Sequence, residues 1–409
     1  MKIKNILVVD DEQNILNAIS RQLRPYRDQW NLFFALSGKQ ALELMATQPI
    51  DLIISDMLMP EMLGDELLNK VMLLYPATVR IALSGYADEE TLKNGMAAAH
   101  QYLSKPCTAE VLREVISQVF KIQACISNPQ IIASFGDSRK LPSLPRVYLE
   151  LNNIMANDGL NTQDVAKILA SDMVISAKLL HFINSPYFGV NRIISNLAEA
   201  INILGLKKLH SLVLSVHLKN SFVVIEPELE QYMEYLWLDA ARTSELAMLI
   251  SQAENQTDDR PDQAFLGGVL HNLGLLMFMS NGGDKLKSLL EKVKTTTLPI
   301  EDIETSIYGF TRFEAAAYLL SLWKIPPRII ESVLLQNKPN ETEYNGMNAL
   351  TAVHAAACLL KPSVMTEYEQ LFAMELDTEY LQRINKLDRL TEWQKLAELV
   401  LARNANNLA

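Results

Sequence analysis

The first 120 residues repeat one pattern: a short apolar run of strand-forming residues, then apolar residues at helical spacing. Ile6–Val9, Leu32–Leu36, Leu52–Ile54, Arg80–Leu83 and Tyr102–Leu103 read as strands. Asn14–Leu23, Gly38–Met45, Asp65–Leu74, Asp88–Ala98 and Thr108–Ile122 read as helices. A strand that is apolar on both faces must be covered on both faces, which is the state of strands in parallel sheets. Five such units predict an α/β, doubly wound parallel sheet. Functional sites in these sheets lie beyond the carboxyl ends of the strands. The alternation therefore dictates both a fold and the place to look for chemistry.

The pattern stops near Ile122. Asn128-Pro129, Gly136-Asp137-Ser138 and Leu141–Pro145 punctuate the next stretch, and after it only helical periodicity is seen. Thr162–Leu169, Ser176–Ile183, Leu197–Ile203, Leu206–His217, Glu228–Gln252, Asp262–Phe278, Phe313–Leu322 and Arg328–Leu335 are expected helices. The expected organisation is a first domain over 1–122, a linker or helix extension over 123–140, an all-α domain over 141–336, and a C-terminal helical extension over 337–409. The longest apolar stretch, Phe265–Met279, contains His271 and Asn272. It is shorter than the ~20 apolar residues that span a bilayer, so a buried helix is expected and no membrane partner.

Charge and cysteine usage narrow the function classes. Lys+Arg 37 against Asp+Glu 48 gives a net charge of −11, which disfavours nucleic acid, because phosphate backbones attract clustered Lys and Arg. Cys107, Cys125 and Cys358 form no C-x-x-C pair, which argues against a disulfide framework or a thiolate zinc site. With no secretory signal visible after Met1, a cytoplasmic location is expected.

Carboxylates gather where the fold places a site. Asp10 and Asp11 follow the first strand and Asp56 ends the third. Neighbouring strand ends would bring three anions together, a set that a hard, oxygen-seeking cation such as Mg²⁺ relieves. Ser84 ends the fourth strand and Lys105 the fifth. A lysine supplies a point charge for a phosphoryl group, a serine supplies a hydroxyl, and an aspartate can accept phosphate as an acyl phosphate.

Asp10-Asp11, Asp56 with Met57–Pro60 and Gly64 after it, Ser84, and Lys105-Pro106 together resemble the response-regulator receiver domain, a flavodoxin-like fold, from Lys4 to about Phe120. The resemblance implies that Asp56 accepts phosphate from a sensor histidine kinase. It implies that Asp11, Asp56 and the backbone carbonyl of Leu58 hold Mg²⁺, with Asp10 helping through water. Lys105 would pair with the phosphoryl group and Ser84 would hydrogen-bond it, while Tyr102 stands at the family's switch aromatic position.

The helical part resembles the HDOD family, a relative of HD-type metal phosphohydrolases, from about Leu141 to Leu335. The matching pieces are Leu141–Pro145, Ala177–Leu180, Asn184–Gly189, Ala200–Leu206, Gly267–Gly274 and Leu322–Pro326. An HD hydrolase needs a His-Asp doublet and further His and Asp ligands to activate water on a metal. The doublet position reads His271-Asn272 here, and the other expected ligand positions read Leu238-Asp239-Ala240, Arg312 and Gln336-Asn337. His181 and His354 fit apolar helical faces and read as structural. His210 and His217 lie two turns apart, ~10 Å along a helix, too far for one ion.

The resulting expectation is a two-component response regulator with a non-enzymatic HDOD output domain, Mg²⁺ in the receiver and no metal in the HDOD domain. Its only catalysis would be its own phosphoryl transfer and dephosphorylation. The implied partners are a sensor histidine kinase and a downstream protein, for instance a cyclic-dinucleotide signalling enzyme; a homodimer is compatible with the sequence. The competing reading is a metal-dependent phosphohydrolase or cyclic-dinucleotide phosphodiesterase.

Overall fold

The computed structural model describes residues 3–75, 78–84, 101–105, 107–135, 146–155, 162–170, 173–183, 194, 196–222, 227–254, 261–281, 283–323, 325–360, 371 and 374–405. The chain divides into two compact units, Met1–Phe120 and Lys121–Ala409.

The first unit is built on strands β1 (Lys4–Val9), β2 (Trp30–Ala35), β3 (Leu52–Asp56), β4 (Val79–Ser84) and β5 (Gln101–Ser104). They form one sheet in the order β2-β1-β3-β4-β5, with every pairing parallel. Successive strand side chains point to opposite faces. Ile6, Val8, Leu52, Ile54, Ile81 and Leu83 therefore face one side, where they meet Leu16, Ile19 and Leu23 of helix α1 (Gln13–Leu23) and Leu112, Val115 and Ile116 of the helix Ala109–Ile126. Leu7, Val9, Ile53 and Ala82 face the other side, against Ala41 and Met45 of α2 (Gly38–Thr47) and Leu67, Leu68 and Val71 of α3 (Gly64–Leu74). This is the doubly wound arrangement that the apolar strands require. The expected helix Asp88–Ala98 lies outside the described residues.

The second unit is helical. Its larger core includes Phe265, Leu270, Phe278, Phe310 and Leu320, and a second core joins the long helix Pro227–Ala253 to the C-terminal segment. In that second core Leu246, Ala247 and Ile250 meet Met347, Val353, Tyr380, Trp393 and Val400. The 337–409 extension thus shares a core with the long helix of the second unit.

Of the two readings of 123–140, linker or helix extension, its described residues follow the second. The helix Ala109–Ile126 continues into it and Pro129–Phe135 forms a further helix, and Cys125, Ile131 and Phe135 are buried in the larger core of the second unit. The expected helix Asp262–Phe278 is two helices, Pro261–Leu270 and Leu273–Asn281, broken at His271-Asn272. There His271 Nδ1 lies 2.7 Å from the Gly268 carbonyl, which the amide of residue 272 would use in an unbroken helix. Together these two helices, Pro261–Asn281, are 21 residues long and apolar enough by length and composition to cross a membrane, but 83% of their most apolar window is buried inside the protein. Gly274 explains part of that burial, since a Cβ there would stand 1.9 Å from the Arg312 carbonyl oxygen.

The motifs Leu141–Pro145 and Asn184–Gly189 lie outside the described residues. The helices Gly283–Thr295 and Ile300–Tyr308 had not been anticipated. The first buries Leu286, Leu289, Leu290 and Val293, an amphipathic spacing that was legible.

Candidate functional site

Strand register assembles the site in the first unit. Val9 pairs with Ser55 and Asp56 with Leu83, so the residues after β1 and at the end of β3 fall side by side. One carboxylate oxygen each of Asp10, Asp11 and Asp56 lies within 4.8 Å of the others. Asp10 is fully buried, Asp56 is 8% exposed, and Asp11 is exposed at the rim. Lys105 reaches across from the end of β5, with Nζ 2.8 Å from Asp10 Oδ2 and 2.7 Å from Asp56 Oδ1. Asp10 Oδ1 also accepts the Glu12 amide at 2.9 Å, and Asp56 Oδ1 the Met57 amide at 2.9 Å.

The loop after Asp56 is held by a close backbone approach. The Gly64 amide donates to the Met57 carbonyl at 3.0 Å, and the Met57 amide to the Leu83 carbonyl at 3.1 Å. A Cβ on Gly64 would stand 2.0 Å from the Asp56 carbonyl oxygen, so only glycine fits there. Leu58 lies in this loop and is 50% exposed. The backbones of Ser84 and Tyr102 pair with Ser104 and Ala82; their side chains lie outside the described residues.

Three carboxylates meet a single lysine here. Burial pushes the Asp56 carboxyl above the usual range and the charge of Asp10 adds to this, so Lys105 only partly offsets them. Burial alone would lower the Lys105 ammonium, but hydrogen bonds and charge from Asp10 and Asp56 outweigh it and raise the net value. Three hard oxygen donors with one lysine fit a divalent oxygen-seeking cation such as Mg²⁺. Among the described residues no second group of three His, Cys, Asp or Glu side chains converges in this way.

The second unit also gathers the residues at its doublet position. Asp239, His271, Asn272, Arg312, Gln336 and Asn337 line one cavity. Sequence reasoning named these positions but gave Asp239 no role. The structure places Asp239 Oδ2 3.0 Å from His271 Nε2 and 2.8 Å from Asn272 Nδ2, which donates to it. Arg312 pairs with the fully buried Glu304, whose partnership across eight residues no spacing rule signalled. His354 is fully buried between the Gln336 carbonyl, 2.7 Å from Nδ1, and the Asp377 amide, 3.0 Å from Nε2. His210 stacks on Tyr148 at 4.0 Å between ring centroids. The side chain of His181 lies outside the described residues.

A model of the response regulator receiver domain matches residues 6–117 and a model of the HDOD domain matches residues 141–339. The chain carries a receiver domain followed by an HDOD domain. An uncharacterized protein of Treponema pallidum (strain Nichols) is 26% identical over 263 residues, 64% of this chain and 50% of that protein. The "Probable cyclic di-GMP phosphodiesterase" of Vibrio cholerae is 36% identical over 112 residues, 26% of this chain and 24% of that protein. The chain therefore spans half or less of the length of these relatives. Among solved structures, the signal receiver domain of an HD domain-containing protein from Pseudomonas fluorescens Pf-5 is 33% identical, covering 30% of this chain and 98% of that chain with a TM-score of 0.29. The receiver domain marks the chain as a response regulator, and receiver domains generally use Mg²⁺ and act with a histidine kinase.

Proposed function

We propose that a sensor histidine kinase phosphorylates Asp56, and that this step controls an HDOD domain that acts by binding a protein partner. The observation that carries the reading is Lys105 bridging Asp10 and Asp56 beside Asp11. In the transfer, a carboxylate oxygen of Asp56 forms a bond to phosphorus while the phosphorus–nitrogen bond of the kinase phosphohistidine breaks, and the electron pair stays on that nitrogen. Lys105 is placed to follow the phosphoryl oxygens, leaving Asp56 once its charge moves outward. Asp10, Asp11, Asp56 and the Leu58 carbonyl would hold Mg²⁺, which when bound neutralises charge on the phosphoryl oxygens. Ser84 at the end of β4 would donate to the phosphoryl group, and Tyr102 on β5 would move with it. The receiver then shifts a population between two states of the output.

The phosphohydrolase reading is opposed by the engagement of His271, Asn272 and Asp239 with one another. The downstream partner suggested by family analogy is a cyclic-dinucleotide signalling enzyme.

The test is labelling of the full chain by a small phosphodonor with Mg²⁺. Wild type should take up about one phosphoryl group and Asp56→Asn none; equal labelling of the variant refutes the assignment. Affinity capture with and without an acyl-phosphate mimic then reads the output, and identical captured sets would refute phosphorylation control.

A further inference from the structure

We infer that the doublet position of the HDOD domain has become a metal-free hydrogen-bonded clasp, in which Asp239, His271 and Gln336 tie the core helices to the C-terminal extension. This rests on the non-catalytic reading above and says what replaces the metal.

The ligand chemistry does not fit an ion. A metal needs a lone pair on a histidine nitrogen and free carboxylate oxygens. His271 Nδ1 faces the Gly268 carbonyl at 2.7 Å and Nε2 faces Asp239 Oδ2 at 3.0 Å, so both ring nitrogens already face oxygen partners within the protein. The same Asp239 oxygen takes the Asn272 amide at 2.8 Å. Arg312, 5% exposed, also lines the cavity, and its guanidinium has no lone pair to offer an ion. The cavity measures about 20 Å³, room for about one water molecule.

The bonds instead run on in a chain. Asp239 lies on the helix Pro227–Ala253, and His271 at the break between Pro261–Leu270 and Leu273–Asn281. Gln336 Nε2 donates to the His271 carbonyl at 2.8 Å and to the Val333 carbonyl at 3.0 Å. The Gln336 backbone carbonyl meets His354 Nδ1 at 2.7 Å, on the helix Ala349–Leu359, and His354 Nε2 accepts the Asp377 amide at 3.0 Å. A second strand of the clasp runs from Glu304 to Arg312, whose Nη1 donates to the Leu371 carbonyl at 2.6 Å. Gln336 Oε1 and Arg312 Nη2 are buried with no hydrogen-bond partner among the described residues, so the chain runs through Gln336 Nε2 and the Gln336 backbone carbonyl and through Arg312 Nε and Nη1. Members of a buried polar network are coupled, so loss of one weakens its neighbours.

The test is a double-mutant cycle on the full chain with Asp239→Asn and His271→Gln, read by melting temperature, together with zinc retained after dialysis. The clasp predicts that each single variant melts lower and that the double variant melts no lower than the worse single one. It also predicts no zinc whose retention depends on His271. Additive losses with no such zinc would overturn the clasp and leave the non-catalytic reading standing. Stoichiometric zinc lost on His271→Gln, with hydrolysis of a cyclic dinucleotide, would overturn both. If Asp239→Asn yields no folded protein, nitrogen resonances of the His271 ring in the wild-type chain decide. A proton on Nε2 supports the clasp, because Asp239 can only accept, and a bare Nε2 overturns it.

Discussion

Glu254 offers a sharp test of how the C-terminal extension is held. Its side chain is 3% exposed at the end of the long helix Pro227–Ala253 and meets three donors from the extension. Lys386 Nζ lies 2.5 Å from Oε2, Arg389 Nε 2.7 Å from Oε1, and Trp393 Nε1 3.1 Å from Oε1. Burial pushes the Glu254 carboxyl up, but these three hydrogen bonds outweigh it and hold it below the usual range. Glu254→Ala strands the fully buried Trp393 indole N–H, which costs about 1–3 kcal/mol. It also removes the partner of two cations that keep 24% and 31% exposure, so their share is well below the ~3–5 kcal/mol of a fully buried pair. A loss of about 3 kcal/mol is expected. Glu254→Gln keeps an acceptor for Trp393 and should cost about half as much by the same reasoning. The depressed carboxyl also sets a sign: its stabilisation is present above the unfolded carboxylate pKa and is lost as pH falls through the lower folded value. Urea unfolding with hydrogen exchange across 378–405 reads both effects. If Glu254→Ala costs under about 0.5 kcal/mol, within surface-substitution range, and leaves exchange in the extension unchanged, the reasoning fails.

Burial drives the His210 ring pKa down to about 4, so the folded domain binds that proton more weakly than the unfolded chain. Stability should therefore fall between about pH 6.5 and pH 4, by roughly 3 kcal/mol at ~1.4 kcal/mol per unit, and His210→Phe should flatten this limb in pH-dependent urea unfolding. Gly64→Ala forces its Cβ to within 2.0 Å of the Asp56 carbonyl oxygen, so the phosphoacceptor loop must shift. Labelling by a small phosphodonor should drop at least about tenfold, the scale that a 1 Å misplacement can exceed. Mg²⁺ at ten times its dissociation constant should stabilise the wild-type receiver by about 1.4 kcal/mol, and Asp11→Asn should abolish the shift in a thermal melt.

The receiver sheet and its site were legible for a simple reason. Strand ends are fixed by short-range apolar runs, and parallel register then brings Asp10, Asp56 and Lys105 together without further information. The helical domain was less so. Helical spacing locates Leu206–Ser221 or Arg312–Leu322 but says nothing about which helix faces which. The Asp239–His271 and Glu304–Arg312 pairs depend on that packing. The break at His271-Asn272 escaped a reading based on hydropathy because every neighbour on both sides is apolar; a side chain competing for a backbone carbonyl leaves no mark on periodicity.

The division between the two units falls inside the helix Ala109–Ile126, and Ile122 and Cys125 on its last turns belong to the core of the second unit, followed by Ile131 and Phe135. This bears on how the protein can be taken apart. A fragment starting where the HDOD match begins, at residue 141, would lack four core side chains and leave apolar surface open to solvent. Residues 121–140 should travel with the HDOD domain in any dissection. Phenotypes of shorter output fragments would report a damaged core as much as release from the receiver.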